Sequence, residues 1–119
     1  MKIENIEVRD IAKEFGTPVY VYSLEILRRS IDEIKQLAPV TRYAMKANSN
    51  VHILKEMLKS GIKIDAVSVF EVQRALRAGF QTDDICFTSD VFFNDDDVKF
   101  CLENNIYCNC GTLGMVEEY

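Results

Sequence analysis

Histidine is almost missing from this chain: His52 is the one copy in 119 residues. That leaves the nearest thing to a metal motif, Cys108-x-Cys110, without the ligands a zinc-type site needs. Basic charge is also short. Fourteen lysines and arginines face 19 aspartates and glutamates, a net charge of −5. A nucleic-acid partner wants a basic stripe, and there is none. No apolar run approaches the length that spans a bilayer. The first residues, Met1-Lys2-Ile3-Glu4-Asn5, lack the apolar core of a signal peptide, so the cytoplasm is the expected compartment. Low-complexity stretches and obvious linkers are absent too.

What remains is ordinary for a globular protein: 48% hydrophobic residues, 28% charged, and enough chain for one domain with a core. The four cysteines, Cys86, Cys101, Cys108 and Cys110, fall in segments that read as strands or helix. With no export signal, reduced and packed thiols are the expected state.

Order along the chain is regular. Ile6 to Phe15 reads as a short helix with Ile6, Ile11 and Phe15 on its apolar side and Gly16 at its end. Val19 to Tyr22 reads as a short strand. Ser23 caps a long helix in which Leu24, Leu27, Ile31, Ile34 and Leu37 recur at helical spacing, and Pro39 closes it. Strands are then predicted to begin near Thr41, Lys63, Ile85 and Ile106, about 21 to 22 residues apart. Helices fill the gaps at Val51–Ser60, Val69–Ala78 and Asp95–Asn104, and Gly111-Thr112 opens room for one more. Gly61, Gly79 and Asn105 sit where helix ends take a left-handed residue. Strand alternating with helix at a fixed step predicts a parallel sheet.

The first of these strands, in the stretch Val40 to Asn48, carries the chemistry. Period-two alternation puts Ala44 and Lys46 on one face and Tyr43, Met45 and Ala47 on the other. Lys46 then stands at the carboxyl end, where parallel α/β folds bind ligands. A partly desolvated amine there is a nucleophile for carbonyls. Strand position alone favours a plain solvated lysine, the commoner case.

The residues around it say more. Tyr43-Ala44-Met45-Lys46-Ala47-Asn48 resembles the cofactor-lysine motif of the pyridoxal-phosphate decarboxylases with an alanine-racemase-like barrel. Three further blocks are similar to that family, in the same order: Gly16-Thr17-Pro18-Val19-Tyr20-Val21-Tyr22-Ser23, Asp65-Ala66-Val67-Ser68-Val69-Phe70-Glu71, and Arg74-Ala75-Leu76-Arg77-Ala78-Gly79-Phe80. The resemblance runs from Phe15 to about Val98.

The resemblance implies an α/β fold: the N-terminal portion of a pyridoxal-phosphate-binding (β/α)8 barrel, about four βα units long. Residues 1–39 would form a helix, strand and long helix leading into the barrel, and 40–119 its first half. A strand and helix preceding the barrel would belong with a C-terminal β-domain. Lys46 would be the catalytic residue and form the Schiff base with pyridoxal 5'-phosphate. Ala44 would leave room for the ring, and Asp65 would orient the amine. A solvated aspartate at a strand end is the other reading of Asp65. Glu71 matches a glutamate that relatives place near the cofactor; with Ser68 it also forms an S-x-x-E capping box, which by itself explains both residues. His52, Arg74 and Arg77 read as solvated helix positions.

The implied reaction is decarboxylation of a small amino acid, meso-diaminopimelate to L-lysine first. Ornithine, arginine or carboxynorspermidine are alternatives, as is a non-catalytic binding paralogue. The complete protein would be a homodimer without nucleic-acid or membrane partners. Parts that the family supplies further along would be needed: a glycine-rich phosphate loop, an acid for the pyridine nitrogen, a stacking histidine and a partner-subunit cysteine. This chain by itself is therefore expected to be inactive. Two departures bear on substrate. Phe92 stands near the place of a loop lysine in Phe87-Thr88-Ser89-Asp90-Val91-Phe92-Phe93, and Gly111-Thr112 replaces an acidic residue and a serine.

Overall fold

The predicted strand–helix rhythm is the architecture of residues 38–119. In the computed structural model, which describes residues 1–88 and 94–118, strands β3 (Arg42–Ala44), β4 (Lys63–Ala66), β5 (Ile85–Thr88) and β6 (Tyr107–Asn109) form one parallel sheet in sequence order. Helices α3 (Val51–Lys59), α4 (Val69–Ala78) and α5 (Asp95–Glu103) connect them, and α6 (Leu113–Glu118) follows the last strand. Two short strands, β1 (Lys2–Ile3) and β2 (Ile6–Glu7), and two helices, α1 (Val8–Phe15) and α2 (Leu24–Lys35), precede the sheet. The chain divides into two compact units, Met1–Leu37 and Ala38–Tyr119.

Burial in the second unit follows the pleat. Ile64, Ala66, Ile85 and Phe87 are at most 1% exposed, while their neighbours Lys63, Asp65, Cys86 and Thr88 are only half-buried. The first set is the core face, and α3, α4 and α5 bring Leu54, Met57, Val72, Ala75, Val98 and Cys101 to the same core. The second set forms the other face of the sheet. Two-sided burial is the rule for parallel sheets, so a half-exposed face marks an arc that further strands would close.

Local signals place the helices. Asn50 Oδ1 accepts from the His52 N–H at 2.9 Å to start α3, and Asn94 Oδ1 accepts from the Asp97 N–H at 2.8 Å to start α5. Asp95, Asp96 and Asp97 occupy the first turn of α5, where the helix dipole favours acids. Gly79 ends α4 with φ +110°, and a Cβ there would stand 3.2 Å from Leu58 Cδ2. Thr112 Oγ1 accepts from the Met115 N–H at 3.2 Å as α6 begins. At the amino-terminal edge of the sheet, Arg42 donates to the Ile64 and Asp84 carbonyls (3.2 and 3.1 Å), and Lys63 pairs with Asp84 at 3.2 Å.

The first unit departs from the sequence reading. The helix expected over Ile6–Phe15 starts at Val8, because Ile6–Glu7 pairs antiparallel with Lys2–Ile3. Glu4 takes φ +52° in the tight turn between them. Ile6 and Phe15, expected on an apolar side, are exposed. Val19–Tyr22 is not a strand. A strand needs partners for its N–H and C=O groups, and among the described residues this segment pairs with none. Helix α2 ends at Lys35, four residues before Pro39, and of its apolar stripe Ile31 alone is buried. Ser23 caps it as expected. Its hydroxyl accepts from the Ile26 N–H at 3.2 Å and donates to Glu4 at 2.8 Å. The Glu4 carboxylate also accepts from the Glu25 N–H, and that bond, then the one from Ser23, holds its pKa below the usual glutamate value.

All four cysteines are free. Burial pushes the Cys108 thiol up to about 12 and raises Cys101 as well, so both stay protonated near neutrality. Cys110 lies just beyond β6, the strand that carries Cys108. Among the described residues no group of three acidic, cysteine or histidine side chains could hold a metal ion.

Candidate active site

The carboxyl ends of β3, β4 and β5 bring Lys46, Asp65, Glu71 and Thr88 to one end of the sheet. Strand β3 stops at Ala44, and Met45–Ala47 turn into a short 3-10 helix that packs against β4. Lys46 therefore sits on a turn and does not continue the pleat face of Ala44, as alternation alone implied. The cause is visible in its neighbours. Met45 is fully buried and anchors the turn from below. The Tyr43 hydroxyl donates to the Asn48 carbonyl at 3.0 Å, and Asn48 Oδ1 accepts from the Asn50 N–H at 2.9 Å. The backbone carrying Lys46 is thus tied on both sides, while its side chain is exposed. The desolvation expected of it does not exist within this arc of sheet.

Ala44 and Asp65 are register partners across β3 and β4, and Asp65 is paired in turn with Cys86 of β5. Register partners in a parallel sheet share a face. Ala44 contributes only a methyl group there, which leaves space beside the carboxylate. Asp65 is half-buried, and Thr88 Oγ1 donates to its Oδ1 at 2.6 Å. The sequence reading gave Asp65 the task of orienting an amine; its partner among the described residues is this hydroxyl. Thr88 was not singled out from sequence. Alternation through Ile85-Cys86-Phe87-Thr88 places it on the Asp65 face, but the pairing also needs the strand register.

Glu71 is engaged at the start of α4. The Ser68 hydroxyl accepts from the Glu71 N–H at 3.3 Å, and Glu71 Oε2 accepts from the Val67 N–H at 2.9 Å. The capping box is real but shifted, since its return bond goes to the residue before the cap. This bond stiffens the loop directly after Asp65. Ser68→Ala is expected to cost about 1 kcal/mol of stability, measured by urea titration, with the Ser68→Asp variant restoring most of it.

His52 is exposed and serves only through its backbone N–H. Arg74 and Arg77 are exposed on α4 as predicted, and Arg74 donates to Ser49 Oγ at 2.6 Å. The Ser89–Phe93 part of the loop in which Phe92 replaces a lysine lies outside the described residues. Gly111-Thr112, the other departure, lies just before α6, where Thr112 Oγ1 accepts from the Met115 N–H.

The family described as pyridoxal-dependent decarboxylase, pyridoxal binding domain, matches residues 24–118. Diaminopimelate decarboxylase of Escherichia coli (strain K12) is 45% identical over 109 residues, 88% of this chain and 26% of that protein. Diaminopimelate decarboxylase of Buchnera aphidicola subsp. Schizaphis graminum is 37% identical over 120 residues, covering 99% of this chain and 28% of that one. A crystal structure of diaminopimelate decarboxylase superposes with a TM-score of 0.84 at 40% identity, over 91% of this chain and 26% of its own. The chain therefore spans about a quarter of the length of the curated relatives it matches.

Proposed function

From the premise that this chain belongs to the pyridoxal-dependent decarboxylases and forms part of their pyridoxal-binding barrel, we propose that the complete protein is an amino-acid decarboxylase converting meso-diaminopimelate to L-lysine and carbon dioxide. The observation that carries the reading is the position of Lys46. It is a primary amine on a clamped turn at the carboxyl end of a parallel sheet, two residues beyond the in-register pair Ala44–Asp65.

The residues present fit pyridoxal phosphate. An aldehyde needs a primary amine that it can reach, and Lys46 is exposed. A flat ring needs room, and Ala44 leaves it. A cationic nitrogen favours an acidic group held nearby, and Thr88 donates to the Asp65 carboxylate. Lys46 would anchor the cofactor, Ala44 and Asp65 would line it, and Glu71 would act by stiffening the loop after β4.

When bound, the cofactor supplies an electron sink for the pair left as the carboxylate departs. The chain's own residues do the rest. Lys46 would hold the cofactor through Nζ, on a turn kept in place by the buried Met45 and by the Tyr43 hydroxyl bond to the Asn48 carbonyl. Asp65, the register partner of Ala44 on the neighbouring strand, would line the same end of the sheet. Strands closing the barrel would cover Lys46 and exclude water, and we assign the phosphate loop, the pyridine acid and the partner-subunit residue to that same remainder. The complete protein is proposed to act as a homodimer in the cytoplasm.

The test is substrate turnover. The complete protein with pyridoxal phosphate is expected to release carbon dioxide and lysine from meso-diaminopimelate. The 119-residue chain is expected to give no turnover. Preference for arginine or ornithine over meso-diaminopimelate would overturn the substrate assignment, and cofactor binding without turnover of any of them would make it a binding protein.

A further inference from the structure

We propose that Thr88 is a positioning residue of the cofactor site, acting through Asp65. The inference rests on the reading of Lys46 as the cofactor lysine and deepens it.

The two residues lie on different strands, 23 positions apart, and meet because the β4–β5 register pairs Asp65 with Cys86 and puts Thr88 one pleat further along the same face. Their O···O distance of 2.6 Å is in the range of a hydroxyl bonded to a carboxylate. Threonine suits the task. Its β-branch leaves few χ1 choices in a strand, so the hydroxyl is delivered from a nearly fixed point. Aspartate has two free torsions, and without a donor its carboxylate turns with little restraint. Phe87, one residue earlier, is buried on the opposite face and fixes the strand from behind. The carboxylate is consequently aimed by a rigid element while it borders Ala44, the strand residue that leads into the Lys46 turn. Among the described residues Thr88 Oγ1 is the side-chain donor to the Asp65 carboxylate, and it sets the orientation of that group.

Thr88→Val keeps the shape and removes the donor; Thr88→Ser keeps the donor. In the complete holoenzyme, Thr88→Val is expected to weaken pyridoxal phosphate binding about tenfold and to change the ratio of the bound cofactor's absorbance bands. Thr88→Ser is expected to stay within about twofold of the parent. In an Asp65→Ala background, Thr88→Val is expected to add nothing. If Thr88→Val binds cofactor with unchanged affinity and spectrum, or if Thr88→Ser loses as much as Thr88→Val, the proposal is overturned. A Lys46→Ala protein run alongside keeps the two readings separate: persistence of the covalent adduct there would defeat the assignment of Lys46 itself, whereas its loss together with a silent Thr88→Val would defeat only the role of Thr88.

Discussion

Lys46→Ala is expected to abolish covalent capture of pyridoxal phosphate and to lower decarboxylation by the complete protein by on the order of a thousandfold or more. The nucleophile is a single amine. Lys63 belongs to the opposite end of the sheet, where it pairs with Asp84 at 3.2 Å. Borohydride reduction followed by intact-mass measurement reads the result directly: the parent gains one reduced cofactor, the variant none. Stability separates this loss from misfolding. Lys46 is exposed, so the alanine variant is expected to unfold within about 0.5 kcal/mol of the parent. A reduced adduct of full yield in the variant, mapped to another lysine, would remove Lys46 from the site.

Phe87→Ala is expected to give the largest loss of stability, about 3–5 kcal/mol. The ring is 1% exposed at the centre of the sheet, with Ala66 and Cys108 as its register partners. Truncation loses the transfer energy of the ring and leaves a cavity, because its backbone is pinned by two neighbouring strands and cannot move in to fill it. Domains are stable by only about 5–15 kcal/mol, so this is a large share. A urea titration measures it. Phe70→Ala serves as the contrast: that ring is 80% exposed at the start of α4, and its loss is expected to change stability by no more than about 0.5 kcal/mol. Equal losses at the two positions would contradict the assignment of the core face. The Phe87 variant should also bind cofactor less well, since the strand that carries Thr88 loses its support.

Where the sequence was read correctly, the signals were short-range. Ser68 and Ser23 cap helices because a side-chain oxygen three residues before an N–H reaches it without help from elsewhere. Gly61 and Gly79 end helices because their φ values of +72° and +110° suit a residue without a Cβ. The strands near Lys63 and Ile85 were found at their first residues, since a run of β-formers between helix ends is itself local. The errors came where a neighbour in space was needed. Lys2–Ile3 and Ile6–Glu7 are too short to show any period. Val19–Tyr22 has the composition of a strand and lacks a partner among the described residues. Alternation alone would carry Lys46 along the pleat of Ala44, which Met45 breaks by turning into the core.

Two things about this protein were decided by its amino-acid order alone. One is the alternation of strand and helix that makes a parallel sheet. The other is the motif that puts a lysine just past the first of those strands. The tertiary structure decided how that lysine is held and what stands beside it. Burial of Met45 takes Lys46 off the strand, and the β4–β5 register brings a threonine hydroxyl to Asp65 across 23 residues of sequence. The physical reason is range: caps and periodicity act within a turn or two of chain, whereas register is settled only when several strands and their covering helices bury their apolar faces together.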